Sequence, residues 1–233
     1  MSGATPPPPS HVTALRIRGD GRVGVELDGD RTLEVPLEVM NAEHLSVGDP
    51  VDAQLEARLV EAEVRARLRA AAFSLLSVRA RSRRELADRL KRKEFPVGLI
   101  ERCLDEFEDA GWIDDPSFAR SVVRDRLRLR PRGPGRMTQE LRTKGLSEAV
   151  AREAVDAVFD EEEVSIEALA LEVARGWFRR QGAGVRAALR SDAFSPERDK
   201  ARRRFHAFLA RRGFTGSAAR DALETLRREP DHG

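Results

Sequence analysis

Arginine is the residue type in this chain with the clearest capacity for molecular recognition. Its planar guanidinium fork pairs with phosphate or carboxylate through two parallel hydrogen bonds. Arginine far outnumbers lysine, and the basic residues fall in three blocks. The first holds Arg83, Arg84, Arg89, Lys91, Arg92 and Lys93, with Arg79 and Arg81 just ahead. The second places Arg120, Arg124 and Arg128 four apart, a spacing that puts them on one helical stripe, with Arg126, Arg130, Arg132 and Arg136 around and after them. The third holds Arg202, Arg203, Arg204, Arg211 and Arg212. The formal net charge of +2 conceals this unevenness: the net is −7 over residues 1–64, +9 over 65–144, −6 over 145–163 and +6 over 164–233. Basic blocks separated by an acidic stretch suit an acidic partner, nucleic acid first. A merely solvated arginine-rich helix face is the competing reading. Aromatic residues are sparsely interleaved with the blocks, which gives base stacking little support.

Catalytic constellations are missing. Gly133-Pro134-Gly135 lacks the lysine and hydroxyl of a phosphate-binding loop. Cys103 is the single cysteine, so there is no internal disulfide, and Ile100, Leu104 and Phe107 around it mark an apolar helix face that it fills. His11, His44, His206 and His232 show no metal-ligand spacing, and His206, between Phe205 and Phe208, reads as part of a helix surface. Asp114-Asp115 is explained more simply by a helix cap than by metal or acid–base chemistry, and Glu161-Glu162-Glu163 by a solvated linker. No nucleophile, base and oxyanion donor assemble. The expectation is a non-enzymatic protein without cofactor or metal.

The elements that must position the arginines are mainly helical. Residues 1–10 form a proline-rich stretch expected to be disordered. From His11 the pattern is short alternation (Val12, Leu15, Ile17; Val23, Val25, Leu27; Leu33, Val35), punctuated by Asp20-Gly21 and Asp28-Gly29-Asp30. This predicts three short antiparallel strands. A short helix over Leu37 to Leu45 and a Gly48-Asp49-Pro50 turn follow, and the small leader is expected to pack on what comes next or stand as an appended module. A long helix is predicted over roughly Asp52 to Val78.

The chain then repeats itself. Three windows align without gaps: Leu86, Leu90, Glu94-Phe95, Ile100, Leu104, Phe107; Met137, Leu141, Gly145-Leu146, Ala151, Val155, Val158; and Phe205, Leu209, Gly213-Phe214, Ala219, Leu223, Leu226. Each reads as a helix, a turn in which Gly145 or Gly213 takes the left-handed conformation, and a second helix. Each window is preceded by a further apolar helix, so the unit is three helices. Ser82 to Glu85 forms a capping box, Asp115-Pro116 an N-cap with proline at the first helical position, and Ser165 and Ser195-Pro196 similar starts. The expected domains are a tail at 1–10, a β-rich leader at 11–50, repeats at 51–115, 116–163 and 164–228, and a tail at 229–233. The third repeat carries an insertion at 182–199, a short helix or an exposed loop. Helical dimensions extend three such units to roughly 60–80 Å, a long concave surface suited to a filament or groove. No apolar run reaches the ~18 residues of a membrane span, and the N-terminus is unlike a signal peptide, so the expected place is the cytoplasm and no membrane partner is expected.

At these residues the chain resembles the RecX family, regulators of the RecA recombinase. The motifs that carry the likeness are Ser82-Arg-Arg-Glu-Leu-Ala-Asp-Arg-Leu90, Gly111-Trp-Ile-Asp-Asp-Pro-Ser-Phe-Ala119, Thr138-Gln-Glu-Leu-Arg-Thr-Lys-Gly-Leu146 and Phe208-Leu-Ala-Arg-Arg-Gly-Phe214, over roughly residues 65–228. The resemblance implies a curved array of three-helix repeats. It also implies a protein that binds the groove of the RecA–DNA filament, limits its growth and lowers its activity, and can bind single- or double-stranded DNA. No catalytic residues transfer. Glu94 stands where a glycine is expected at the first helix end, and His206 where tyrosine is common. A monomer is expected, and the rival functions are a direct DNA-binding helical module and a protein scaffold with no nucleic-acid role.

Overall fold

The computed structural model describes residues 9–19 and 21–229. The tail expected at 1–10 lies outside these up to residue 8, as do Asp20 of the first Asp-Gly turn and residues 230–233 of the C-terminal tail. Among the described residues the fold is mainly α, tandem three-helix repeats behind a small antiparallel sheet. It divides into two compact units. One comprises the described residues up to Ala80 with Leu86–Trp112; the other comprises Arg81–Glu85 and the described residues from Ile113 onward.

The first unit opens with strands β1 (Ser10–Ile17), β2 (Arg22–Leu27) and β3 (Arg31–Pro36), as the alternation predicts. Asp28 and Gly29 both take positive φ, the geometry a tight hairpin turn requires. Helix α1 (Leu37–Ala42) ends earlier than expected, and a fourth strand, β4 (Pro50–Val51), pairs with the start of β1 to give the order β3-β2-β1-β4. The Gly48-Asp49 turn joins the sheet: Val12 N–H donates to the Asp49 carbonyl at 3.0 Å, and Gly48 N–H to that of Val12 at 2.8 Å. A two-residue strand is too short to show alternation, so the sequence gives no sign of it.

Val12, Val23, Val25, Leu27, Val35 and Val51 bury one face of the sheet, and helix α2 (Ala53–Val78) closes that core with Leu59. Asp52 caps α2 by accepting from Leu55 N–H at 2.7 Å. Further along, Phe73 of α2 packs against Phe107 of α4 (Val97–Asp109), ring centroids 4.7 Å apart, with Trp112 edge-on to Phe73. Cys103 is buried there, and burial pushes its thiol pKa up, which makes it a core filler and a poor nucleophile.

The second unit contains the first turn of α3 (Arg83–Lys91), then α5 (Asp115–Leu129), α6 (Pro134–Thr143), α7 (Glu148–Glu161), α8 (Ile166–Arg179), α9 (Ala183–Arg190), α10 (Pro196–Arg211) and α11 (Gly216–Arg228). One apolar core runs through it, from Val123, Met137 and Val155 to Trp177, Phe205 and Leu223. Of the repeat positions, Leu86, Leu90, Ile100, Leu104 and Phe107 are buried in the first window, as are those from Met137 to Val158 and from Phe205 to Leu226 apart from the half-buried Gly145 and Gly213. The insertion contains a short helix, α9, which buries Leu189 and leaves Phe194 exposed in the loop beyond.

The caps follow the sequence with one shift. Ser147, Ser165 and Ser195 accept from backbone N–H groups three residues on. The N-cap of α5 is Asp114, bonded to Ser117 N–H at 2.8 Å, and not Asp115. Asp115 is the first helical residue, and its carboxylate accepts from Arg83 N–H at 2.8 Å, satisfying an otherwise open amide at the front of α3. Glu85 N–H reaches Ser82 Oγ at 3.1 Å as the capping box predicts, while the Glu85 carboxylate accepts from the buried Arg81 at 2.7 Å.

Candidate recognition surface

The predicted basic residues separate into those held by acids or aromatic rings and those with no ion pair. Helix α5 places Arg124 half-buried, with Glu161 at 2.5 Å and Glu162 at 3.3 Å from its guanidinium. Arg126 and Arg132 share one acid, Glu140 on α6; Arg132 stands 2.8 Å from it. The Arg126 guanidinium holds the Glu140 carboxyl below its ordinary value, and Glu140 raises Arg126 in return. Lys91 lies 4.0 Å from Glu101, both half-exposed. Arg212 sits over the Phe208 ring, 5.3 Å from its centroid. Arg202 is half-buried beside His206; burial, aided by Arg202, lowers the His206 pKa. Arg83 gives its backbone N–H to Asp115, and Arg89 is half-buried on the same helix.

Among the described residues, Arg84, Arg92, Lys93, Arg120, Arg128, Arg130, Arg136, Arg203, Arg204 and Arg211 have no ion-pair partner; all are exposed but Arg120, which is half-buried. A free guanidinium can accept a phosphate or carboxylate without first giving up an internal acid. Breaking an exposed pair costs no more than about 1 kcal/mol, so Lys91 also remains available. The arginines around Glu140 are held more firmly because their shared acid is largely shielded from water.

Two of the free arginines meet at a cleft in the second unit. Gly135, Arg136 and Gln139 of α6 face Ala210, Arg211 and Gly213 across a volume of about 480 Å³. The glycines leave the rim open, the arginines supply two forks, and the Gln139 amide can donate as well. A second cleft, of about 450 Å³, lies within the first unit and is lined by Arg22, Arg67, Ala70, Ala71, Lys93 and Phe95. Arg67 did not emerge from the sequence because it lies on α2, ahead of the aligned windows. Its signal was its spacing from Ala70 and Ala71, small residues that open space beside a cation. Arg22 of this cleft is already 2.9 Å from Glu63.

The described residues contain no group of three metal-ligating side chains, and no helix is long and apolar enough to cross a membrane. Among the described residues, guanidiniums without an ion-pair partner thus stand at several separated points.

Comparison with known proteins gives the family. The description "RecX, first three-helix domain" matches residues 69–107, and "RecX, second three-helix domain" matches residues 114–155. The regulatory protein RecX of Halorhodospira halophila is 36% identical over 166 residues, covering 71% of this chain and 92% of that protein. That of Corynebacterium efficiens is 38% identical over 173 residues, covering 73% and 75%. A crystal structure of regulatory protein RecX superposes with a TM-score of 0.69 at 23% identity over 94% of this chain and 100% of its own. The crystal structure of RecX from Lactobacillus salivarius gives 0.56 at 21% over 71% and 97%. The two structures speak for the fold, and the two sequence relatives, each matched over more than two thirds of its length, place this chain in the RecX family of regulatory proteins.

Proposed function

We propose that this chain is a non-enzymatic negative regulator of the RecA recombinase, which binds in the groove of the RecA–DNA filament and limits filament extension and activity. The observation that carries the reading is the set of arginines without an ion-pair partner among the described residues, on a chain of the RecX family of regulatory proteins. A filament groove offers DNA phosphates and protein carboxylates in a regular series. Separated guanidinium forks can meet both. Regulation then consists of occupying a surface that filament growth needs, and no bond is made or broken. The place of action is the cytoplasm, and the partner surface is RecA with single- or double-stranded DNA.

The test is ATP hydrolysis by RecA on single-stranded DNA with this protein titrated in. Inhibition well below one protein per RecA supports end capping or disassembly. Inhibition only near equivalence supports groove coating. Unchanged hydrolysis at saturation refutes the proposal.

The unpaired arginines also favour a second reading, direct DNA binding without a recombinase. That reading gives duplex binding whose affinity falls with salt by a slope of about −0.9 per phosphate contacted. No binding at low salt would eliminate it.

A further inference from the structure

The insertion ahead of the third repeat window ends in a loop, Ser191 to Ser195, that is tied down at several points. Ser191 N–H closes α9 on the Ala187 carbonyl at 3.0 Å. The Ser191 hydroxyl accepts from Ala193 N–H at 3.1 Å, and the Ser195 hydroxyl from Arg198 N–H at 3.1 Å. The Asp192 carboxylate pairs with Arg227 of α11. Between these fixed points Phe194 is 87% exposed.

Arg198 holds that ring in place. Its guanidinium lies 4.1 Å from the Phe194 ring centroid and also donates to the Asp192 carbonyl at 3.0 Å. Arg198 itself is only 6% exposed. It stands 3.4 Å from Asp199, yet its Nε is buried with no hydrogen-bond acceptor among the described residues. Burying an arginine and leaving one of its donors unsatisfied costs free energy, of which a cation against a ring face returns a part. A lone exposed apolar side chain needs no explanation by itself. Here a buried cation is committed to fixing one. A ring fixed in advance loses little conformational freedom when a partner covers it, which is the property of a binding anchor.

The surroundings of the ring select the partner. Ser191 to Asp199 carries three carboxylates, Asp192, Glu197 and Asp199, and its one arginine is the buried Arg198. The Asp192 side chain is 94% exposed, and Glu197 is exposed as well. A nucleobase stacked on Phe194 would bring its phosphates against these carboxylates, the reverse of the cationic groove that single-strand binders use. A protein surface can satisfy both features: an apolar pocket takes the ring, and lysine or arginine at its rim takes the carboxylates.

We infer that Phe194 is a preformed anchor for a protein partner, seated in an apolar pocket with a basic rim. The inference deepens the proposed function and rests on it: the pocket belongs to the protein of the filament and not to its DNA. The chain then uses two chemistries, guanidiniums for anionic groups and a ring flanked by carboxylates for an apolar, basic site.

The test titrates labelled full-length chain, as wild type, Phe194→Ala and Glu197→Lys, with RecA filaments on single-stranded DNA and with the same DNA alone. Removing the ring weakens filament binding at least about tenfold. It leaves binding to DNA alone within about twofold of wild type and the Tm within about 2 °C, because so exposed a ring adds little to folding. Glu197→Lys reverses a charge beside the ring and weakens filament binding about two- to fivefold at low salt. Equal filament binding by wild type and Phe194→Ala overturns the inference. So does an equal loss on DNA alone, which marks the ring as a base-stacking residue, or a larger fall in Tm, which marks it as part of the fold. Filament binding unweakened by Glu197→Lys overturns the basic rim. No binding of wild type to filaments overturns the recombinase reading itself, and with it the inference that rests on it.

Discussion

Replacing Gly133 by alanine tests the close approach of α6 to the turn at Gly213 without adding backbone strain. Gly133 has φ −71° and ψ 160°, a conformation open to any residue, so the change carries no left-handed penalty. Its new Cβ would stand 2.2 Å from the Gly213 carbonyl oxygen and 2.6 Å from that carbonyl carbon. Neither atom can move alone, because Gly213 is held in its turn between α10 and α11. Overpacking of this kind costs about 1–3 kcal/mol. Separating the two segments also weakens the bond from Gly133 N–H to the Arg212 carbonyl, adding roughly 0.5–1.5 kcal/mol. Alanine stiffens the unfolded chain and returns about 0.4–1 kcal/mol. The net expectation is a loss of about 1–4 kcal/mol. Thermal unfolding followed by circular dichroism at 222 nm should show a Tm lower by on the order of 3–12 °C. Gly135→Ala is the control: it has open space around its Cα and lies in the first turn of α6, so it is expected to be neutral or slightly stabilising. If Gly133→Ala unfolds within about 1 °C of wild type while Gly135→Ala behaves as expected, the close approach of α6 to the Gly213 turn is wrong.

Glu140→Gln removes the acid shared by Arg126 and Arg132. Because the native carboxyl is held below its usual 4.5, its stabilisation is fully present above that pH and fades as pH falls through the lower native value. Wild type should therefore exceed the variant in denaturant midpoint at pH 6, and the gap should close in acid as the Glu140 carboxyl takes up its proton below its ordinary range; a constant gap would refute the assignment. Arg128→Glu should leave the Tm within about 1 °C, since Arg128 is exposed and without an acid partner among the described residues, whereas Arg124→Glu sets a third negative charge against Glu161 and Glu162 and should cost about 0.5–1 kcal/mol of stability, a Tm lower by roughly 2–4 °C. Equal effects of the two in a melting experiment would show that the α5 stripe has been divided wrongly.

The helices and their order were legible because each repeat buries apolar residues at fixed spacing, and Leu86, Met137 and Phe205 are buried where that spacing puts them. The turn chemistry was legible at Gly145 and Gly213, which take positive φ; at Glu94, where the missing glycine suggested a different turn, the backbone takes positive φ all the same. What the sequence could not show was which partner each polar group chooses. Asp114 and Asp115 are adjacent carboxylates, and only the packing of α3 decides that one caps α5 while the other takes the Arg83 amide. The arginine blocks were visible as charge, but their division depended on acids distant in sequence. Arg124 is matched by Glu161, 37 residues on, and Arg126 by Glu140, 14 on. Arg128 and Arg130 between and beyond them stay open. No composition window reports that difference, because it arises from helix rotation and from contacts between helices.

The central claim is that the unpaired arginines of the second unit engage a RecA–DNA filament, and binding to preformed filaments measures it most directly. Fluorescently labelled protein would be titrated with RecA filaments on single-stranded DNA, alongside the variant Arg128→Glu/Arg130→Glu/Arg136→Glu/Arg211→Glu. The account predicts saturable binding by the wild type, weakened at least tenfold in a variant whose melting temperature is unchanged. Equal binding by the two proteins, or no binding by the wild type at low salt, would contradict it.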